Sequence, residues 1–483
     1  MNIVINLQTL YDKNVFEKIK ELSVRIDIKN IYIASSLMHD VEQYIIDKFN
    51  NIDKITYIST NSLFDSNSFN KVNFELPSEL INSKLITIDL LSSIRWIPIS
   101  HRNKIDKLSF SMYMLYDVYN FWINFFEYNN IDIVISLNDE HSSLDYILNK
   151  AAKDKNISKI ITCSIAGALA SDGIEYFALY EHNKKRYIKV NQFNSVKQQI
   201  NKDNYNYQEF SHQYEKTLLN KIKFIVSRLW MIKSASGNII DKATVLSGKL
   251  LRYLYVKIKF IQQIRYIESL KKYYEKISTL NIDYNNKYVY YCLHFDPEAT
   301  ILPKDKIYSN QLLNIRIISS SLPDGWNLYV KEHPHQLNAD LYKNIFLNQL
   351  HAIDIFRSES FYKYINELDN VQLISLKTDH NKLIENAQYI ASNTGTVFRE
   401  ATMMKKRCIT FSHKSLYSLM DNVYEVKDYN DCVKLFQEDR KPIFSSVDEL
   451  FEDYTITVDD LNKRDSIILG FIIKHKLYKV SYD

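Results

Sequence analysis

Short apolar segments alternate with helical patterns in the first part of the chain. Strand patterns at 3–6, 30–34 and 54–58 are separated by helical patterns at 14–25 and 39–48. This alternation is typical of a parallel sheet whose successive strands are joined by helices. The N-terminal part is therefore predicted to be an α/β domain.

The same alternation continues beyond residue 105. An aromatic-rich helical pattern at 108–128 is followed by a continuous apolar strand at 132–137. A helix at 144–155 and a strand at 160–163 come next. Strands without polar alternation are typical of sheets that are buried on both faces.

A second series of α/β patterns begins near residue 286, and its last helix, near 465–476, is expected to cross back to the first domain. A chain of 483 residues is also too long for one ordinary core. The predicted parts are an N-terminal Rossmann-like domain (1–212), a helical connector (213–285) and a C-terminal Rossmann-like domain (286–483). The strands predicted in the last part are 289–293, 328–331, 371–375, 389–392, 407–411 and 422–426.

The connector is basic in residues 214–276, where aromatic residues such as Trp230, Tyr255 and Phe260 interleave with lysines and arginines. Basic amphipathic helices can bind anionic membrane surfaces. They can equally be connectors whose apolar stripe packs on neighbouring domains. The sequence leaves both interpretations open.

Polar clusters follow three of the predicted C-terminal strands. The clusters lie at 294–298, 331–334 and 392–396. Ligands of parallel sheets bind just beyond the carboxyl ends of the strands. We therefore expect the three clusters to form one site.

The third cluster is rich in hydroxyl groups and precedes a helix beginning near Val397. Unpaired N–H groups at a helix start favour phosphate, although the same residues could simply cap the helix. Glu400, one turn on, could bind the two ribose hydroxyls or serve as a favourable first-turn charge. The loop residues are Ser392, Asn393, Thr394, Gly395 and Thr396.

The first two clusters contain histidines. Lys331 and His333 could hold a phosphate, and a protonated His333 could stabilise a phosphate leaving group. His294 and Glu298 form a similar pair. The alternatives are a structural histidine at His333 and a helix-capping role for Glu298.

Asp139 and Glu140 follow the buried strand at 132–137. A carboxylate there would face the C-terminal domain and could act as a general base or nucleophile. The alternative is helix capping by Asn138, Asp139 or Ser142. Asp172, before Gly173, is a weaker candidate of the same kind.

Composition narrows the function classes. Hydrophobic content of 46%, charge of 24% and a net charge of +4 indicate a globular protein with no general attraction to nucleic acid. The chain contains no P-loop, no Gly-x-Gly-x-x-Gly, no Asp-x-Asp and no cysteine or histidine cluster with metal-ligand spacing. We therefore expect neither a metal ion nor a cofactor. With no evident signal peptide and no window of about 20 apolar residues, a cytoplasmic location is expected.

Several C-terminal motifs together resemble a known family. Residues 293–300, Leu322-Pro323, 330–334, 393–396 and Glu400-Ala401 resemble the C-terminal half of bacterial capsule polysaccharide biosynthesis proteins. Those proteins are GT-B glycosyltransferases, and some transfer Kdo from a CMP-activated donor. The His-Pro pair and the hydroxyl-rich loop are also similar to motifs of bacterial GT-B sialyltransferases, which use a CMP-sugar.

The resemblance covers about a quarter of the chain and implies that His333, Thr394 and Thr396, with Ser392 as a further candidate, contact the nucleotide phosphate. The sialyltransferase pattern also has an acidic pair before a glycine, of which Ser171-Asp172-Gly173 retains half. The catalytic carboxylate is thus left open between Asp172 and the pair Asp139 and Glu140.

The sequence predicts a GT-B-like α/β protein with two Rossmann-like domains that face a cleft. It would transfer a Kdo-like or sialic-acid-like sugar from a CMP donor to a bacterial surface polysaccharide or lipid-linked glycan. The acceptor would bind the N-terminal domain, and residues 214–276 could attach the enzyme to the inner membrane face. Alternatives are a UDP-sugar, GDP-sugar or glycerol-phosphate donor, or a non-catalytic membrane-associated scaffold.

Overall fold

The chain folds around two separate β-sheets. Strands β1 to β7 and β14 build the first sheet, and strands β8 to β13 build the second. The computed structural model describes residues 1–7, 28–35, 55–59, 108–137, 143–164, 176–190, 261–296, 301, 305–339, 356–412, 415–438, 443–444, 446–457 and 461–480.

The first sheet has the strand order β14-β6-β5-β4-β1-β2-β3, with β7 paired to β6. Strands from β5 to β3 along this order are parallel, whereas β6 is antiparallel to β5 and to β14. The order β3-β2-β1-β4-β5 is that of a Rossmann sheet. The strands are Asn2–Leu7 (β1), Asn30–Ser35 (β2), Ile55–Ser59 (β3), Ile133–Ser136 (β4), Ser158–Ser164 (β5), Tyr176–Glu181 (β6), Arg186–Tyr187 (β7) and Thr455–Thr457 (β14).

Apolar side chains fill both faces of this sheet. In β1, Ile3 and Ile5 belong to one core and Val4 to the other, because successive side chains point to opposite faces. Helices α1 (Leu108–Tyr128) and α2 (Ser143–Asp154) contribute to the core around Val4. The continuous apolar character of the predicted strands thus has a direct structural reason.

The opposite face of the first sheet is covered by the last helix of the chain, α10 (Leu461–Val480). Its residues Ile467, Ile468 and Ile472 are buried in the same core as Ile3. The prediction that the last helix crosses back to the first domain is confirmed. Residues 455–480 complete the first sheet, while the boundaries at 212 and 285 stay predictions.

All six strands of the second sheet are parallel, in the order β10-β9-β8-β11-β12-β13. This is the 3-2-1-4-5-6 order of a Rossmann fold, with its topological switch point between β8 and β11. Each strand lies within two residues of its predicted bounds. The strands are Tyr288–Cys292 (β8), Asn327–Lys331 (β9), Val371–Ile374 (β10), Tyr389–Ser392 (β11), Arg407–Thr410 (β12) and Val423–Glu425 (β13).

Helices cover both faces of the second sheet. One core contains side chains of α3, α4, α5 and α8, and the other contains side chains of α6, α7 and α9. The α/β class with two Rossmann-like sheets is therefore confirmed, while the GT-B-like arrangement of two domains that face a cleft stays a prediction. The helices are residues 261–277 (α3), Gln311–Ser321 (α4), Glu359–Asn366 (α5), His380–Asn386 (α6), Val397–Met403 (α7), Tyr429–Gln437 (α8) and Val447–Tyr454 (α9), with 3-10 turns at Lys306–Ser309 and Leu416–Leu419.

The described end of the basic connector is α3. Its Leu270 and Tyr274 are buried in the core of the second sheet. Between 261 and 276 most apolar residues therefore pack on a domain, as the second interpretation of the connector requires, although Ile261 is 48% exposed. Residues 214–260 lie outside the described ranges, so membrane binding stays a prediction. None of the helices that the structure describes combines the length and apolarity needed to cross a bilayer.

Candidate functional site

The three polar clusters lie side by side at the carboxyl edge of the second sheet. They follow β8, β9 and β11, which are neighbours in the order β9-β8-β11. Two of them flank the switch point, where the loops after β8 and β11 diverge and leave room for a ligand. The structure thus brings together segments that begin at residues 294, 331 and 392 of the sequence.

A buried arginine ties two of these loops together. Arg357 donates from Nε to Glu332 Oε2 and from Nη1 to Asp296 Oδ2, both at 2.7 Å, and from Nη2 to the carbonyl of His294 at 3.0 Å. Its side chain is only 1% exposed, and those of Asp296 and Glu332 are equally well buried. Burial alone would lower the pKa of Arg357, but the two carboxylates outweigh it and raise that pKa.

Two glutamines complete the connection between the loops. Gln311, the first residue of α4, accepts from the His294 N–H at 2.7 Å and donates to Asp296 Oδ2 at 2.6 Å. Gln336 exchanges two hydrogen bonds, each of 2.7 Å, with the main chain of Asp296. The backbone around His294 is consequently held in one conformation.

His333 is positioned by its own neighbours. Its main-chain N–H donates to Glu332 Oε1 at 2.7 Å, and its Nδ1 accepts from the His335 N–H at 3.2 Å. The proton of the neutral imidazole must then reside on Nε2. Burial, followed by the positive charges nearby, lowers the pKa of His333 to about 3.

The lowered pKa bears on the expected role of a protonated His333 at a leaving group, and that role stays a prediction. Burial, the neighbouring histidines and Arg357 all disfavour the charged imidazole. A neutral His333 could instead donate one hydrogen bond from Nε2.

Lys331 is directed toward a different loop. Its ammonium group donates to the carbonyl of Thr378 at 2.6 Å, and the residue is 7% exposed. Burial lowers the pKa of Lys331. The ammonium group is thus already hydrogen-bonded next to α6. Phosphate binding by Lys331 stays a prediction.

The hydroxyl-rich loop divides into a structural half and an accessible half. Ser392 donates to the carbonyl of Cys292, and Asn393 donates to Asp305 Oδ2 at 2.9 Å and accepts from Asn314 at 3.0 Å. Both residues are buried. Their polar groups therefore join the strand ends, and donor binding by these two residues stays a prediction.

Thr394, Gly395 and Thr396 form the accessible half and are all partly exposed. The Thr394 hydroxyl is 3.2 Å from that of Ser415. Thr396 occupies the N-cap position of α7, but its side chain makes no capping bond. The alternative considered above was capping of this helix by Ser392 or Thr394, whereas the N-cap position belongs to Thr396.

Gly395 has a backbone φ of +122°, and a Cβ placed there would meet no atom within 4 Å. Because L-residues rarely adopt this conformation, Gly395→Ala should lower the free energy of unfolding by about 1–3 kcal/mol. Urea denaturation would measure it. Gly325→Ala is a graded comparison in the same domain. Its φ of +79° lies near the left-handed helical region that L-residues occasionally adopt, so its loss of stability should be smaller. An unchanged unfolding midpoint for Gly395→Ala would contradict the prediction.

Glu400 has a partner that sequence patterns did not indicate. Its Oε2 lies 2.8 Å from His380 Nε2, and Nδ1 of the same imidazole lies 2.9 Å from the Tyr290 hydroxyl. Tyr290 belongs to β8, His380 begins α6 and Glu400 lies in the first turn of α7. The expected first-turn carboxylate is therefore one end of a chain of three side chains.

Several predicted residues lie outside the described part of the chain. These are the catalytic candidates Asp139 and Glu140, the alternative Asp172 and the donor-site candidate Glu298. Their roles stay predictions. In the sequence, Asp139 and Glu140 follow β4, which borders the switch point of the first sheet. Within the described ranges, no group of three or more His, Cys, Asp or Glu side chains could hold a metal ion.

No family model matches the chain, and no curated protein matches its sequence. Among solved structures, the chain is similar to the UDP-GlcNAc 2-epimerase of Methanocaldococcus jannaschii, with 10% identity over 98% of this chain and 100% of that chain and a TM-score of 0.24.

Two further similarities are of the same order. The UDP-GlcNAc 2-epimerase of Neisseria meningitidis, bound to UDP-GlcNAc, is 12% identical over 98% of this chain and 100% of that chain, with a TM-score of 0.24. A glycosyltransferase of Rickettsia africae is 11% identical over 99% and 97%, with a TM-score of 0.20. Scores this low support no argument. The fold assignment therefore rests on the strand order of the two sheets.

Proposed function

We propose that this chain is a glycosyltransferase that takes a Kdo-like or sialic-acid-like sugar from a CMP-activated donor. The observation that supports this most directly is the position of His333 and the loop 394–396, beside the switch point of the second sheet. Parallel sheets of this order bind nucleotides at that point. The acceptor would be a bacterial surface polysaccharide or a lipid-linked glycan.

In the proposed reaction, an acceptor hydroxyl attacks the anomeric carbon of the donor while the bond from that carbon to the phosphate oxygen breaks. Asp139 or Glu140 takes the proton of the hydroxyl. The electron pair of the broken bond leaves on the CMP phosphate. Hydrogen-bond donors that are already in place at the leaving group lower the barrier, because they need no reorganisation during the reaction.

His333 Nε2–H and the hydroxyls of Thr394 and Thr396 are the donors available for that phosphate. Glu400 would accept from the ribose hydroxyls. His294 is a further donor-site candidate, and its main chain is held in place by Gln311 and Arg357. CMP has a single phosphate, so this set of donors could serve without a metal ion. An inner-membrane location through residues 214–276 is part of the same proposal.

A thermal-shift series with CMP, CDP, UMP, UDP, GDP and ADP tests the nucleotide class. Selective stabilisation by CMP, unaffected by magnesium or chelator, is the expected result, because a ligand that binds only the folded state stabilises it. At a concentration 100 times its dissociation constant, CMP would contribute about 2.7 kcal/mol. Thr396→Ala should reduce the shift, whereas Asn381→Ala, an exposed change on α6, should not.

Two outcomes would contradict the proposal in different ways. Stabilisation by UDP or GDP in place of CMP would change the donor class and keep the site. No stabilisation by any nucleotide would argue for the scaffold alternative. Vesicles containing phosphatidylserine, with salt as the variable, would then test residues 214–276 separately.

A further inference from the structure

A continuous chain of hydrogen bonds joins Tyr290, His380 and Glu400, which lie on one strand of the second sheet and on two of the helices that cover it. Tyr290 is 1% exposed, so its hydroxyl requires a partner inside the protein. His380 Nδ1 supplies that partner at 2.9 Å, and its other nitrogen is 2.8 Å from the Glu400 carboxylate. The imidazole is therefore fixed from the buried side and presents Nε2 to the accessible side.

The exposure of the His380–Glu400 pair argues against a role mainly in stabilising the fold. The side chains of His380 and Glu400 are 37% and 36% exposed. Ion pairs with this exposure contribute little to folding free energy. A buried tyrosine and a capped helix start, where Asp379 accepts from two N–H groups, nevertheless hold the pair in one orientation.

The pair also lies beside the proposed phosphate site. Lys331, two residues before His333, donates to the carbonyl of Thr378, two residues before His380, at 2.6 Å, so the segment that leads into α6 contacts the strand end that precedes His333. Glu400 lies one turn after Thr396, to whose carbonyl its N–H donates at 3.0 Å. A ligand phosphate held by His333 and Thr396 would place the adjacent ribose within reach of Glu400.

The carboxylate has capacity for that ribose. His380 occupies Oε2, and no donor among the described residues contacts Oε1. A carboxylate whose plane is fixed can accept from both hydroxyls of a vicinal diol. A carboxylate that rotates freely would lose part of this interaction to conformational entropy.

We infer that His380, itself held by Tyr290, is a positioning residue that orients Glu400 to bind the ribose diol. The chain Tyr290–His380–Glu400 thereby determines the preference for ribonucleotides over 2′-deoxyribonucleotides. This inference rests on the proposed function only in requiring that a nucleotide binds this edge of the sheet. It adds a specificity element whose effect on binding can be measured without knowing the sugar.

The experiment is isothermal titration of CMP and 2′-deoxy-CMP into the full-length protein and its variants. Wild type should bind CMP roughly tenfold more tightly, as expected for a hydrogen bond to a charged group. His380→Gln and Tyr290→Phe should each reduce this ratio to roughly twofold, mainly by weakening CMP. Asn381→Gln, the adjacent exposed position on α6, is the matched control and should keep the full ratio.

A double-mutant cycle separates positioning from an independent contact. If His380 acts through Glu400, then His380→Gln should have almost no further effect on the ratio in a Glu400→Gln background. A merely structural bridge between α6 and α7 would instead lower the melting temperature and leave the ratio unchanged. Tyr290→Phe tests the positioning role independently, because Tyr290 is buried and its substitution leaves the accessible surface unchanged.

The possible outcomes distinguish this inference from the proposed function. Equal affinities for CMP and deoxy-CMP, or a full ratio in His380→Gln, would overturn the inference and leave the CMP donor intact. A ribose preference seen with UDP and deoxy-UDP only, and lost in His380→Gln, would support the inference and overturn the CMP donor. No binding of any nucleotide by wild type would overturn both.

Discussion

Arg357→Met is expected to lower the free energy of unfolding by about 3–5 kcal/mol. The substitution removes the one described cation that contacts both Asp296 and Glu332 and leaves two carboxylates buried without compensation. Tyr362 and the His333 N–H would still donate to Glu332, at 2.6 and 2.7 Å, but neither carries a charge. Equilibrium urea unfolding followed by circular dichroism would measure the change.

The matched control is Lys363→Met, on α5. Lys363 pairs with Glu367 at 3.6 Å, but both side chains are about two-thirds exposed. Exposed pairs contribute between zero and about 1 kcal/mol, so this variant should unfold nearly as wild type does. An Arg357→Met protein as stable as the control would show that the buried network is dispensable.

A variant that also removes the two buried carboxylates tests whether unpaired buried charge causes the loss of stability. If the loss comes from unpaired buried charge, then Arg357→Met combined with Glu332→Gln and Asp296→Asn should recover part of it. Replacing a whole buried ion pair is often nearly neutral, whereas removing one partner is costly. The triple variant should therefore be more stable than Arg357→Met alone, and the reverse order would contradict the explanation.

This network marks where sequence patterns stop being informative. The strands of the second sheet were predictable because each is a continuous apolar segment followed by a polar cluster. Arg357 lies 25 residues from Glu332 and 61 from Asp296, in a segment without a regular pattern. Only the strand order places it between the two loops, and strand order is not encoded by local periodicity.

Sequence patterns did not predict the hydrogen-bonded chain Tyr290–His380–Glu400, for a similar reason. Tyr290 belongs to a buried strand, so its apolar pattern concealed a hydroxyl with a specific partner. His380 begins α6, in the connection that crosses from β10 to β11, and Glu400 lies 20 residues later in α7, so their contact depends on the course of this crossover. The position of His380 in the sequence does not indicate which carboxylate it contacts.

The residue types in the sequence predicted the position of the site better than they predicted the protonation state and hydrogen bonding of its residues. His333 was selected because it follows a strand, and the structure places it at the expected edge. Its charge depends on burial and on neighbours from other segments, which the sequence does not order in space. The same limitation applies to Ser392 and Asn393, whose polar groups are used within the protein.

Replacing His333 with alanine is expected to reduce kcat on the order of 10²-fold, the usual effect of removing one preorganised donor to a developing charge. The loss should appear mainly in kcat, because the donor acts most strongly on the phosphate as it departs. The measurement is a steady-state assay of CMP release with the donor identified from the nucleotide series. His335→Ala is the control. The His335 side chain is exposed and its ring centroid lies 5.3 Å from that of His333, but the variant keeps the main-chain N–H that donates to His333 Nδ1.

The tautomer of His333 makes this prediction sharper. A glutamine amide nitrogen reaches the position of Nε2, whereas an asparagine amide nitrogen reaches that of Nδ1. His333→Gln should therefore recover more of the rate than His333→Asn, because the proposed donor is Nε2–H. Since burial keeps His333 neutral far below its ordinary pKa of 6.5, the pH profile of kcat/KM should show no step near pH 6.5 that His333→Gln removes. Such a step, or full activity in His333→Ala, would mean that His333 is not the neutral donor at the leaving phosphate.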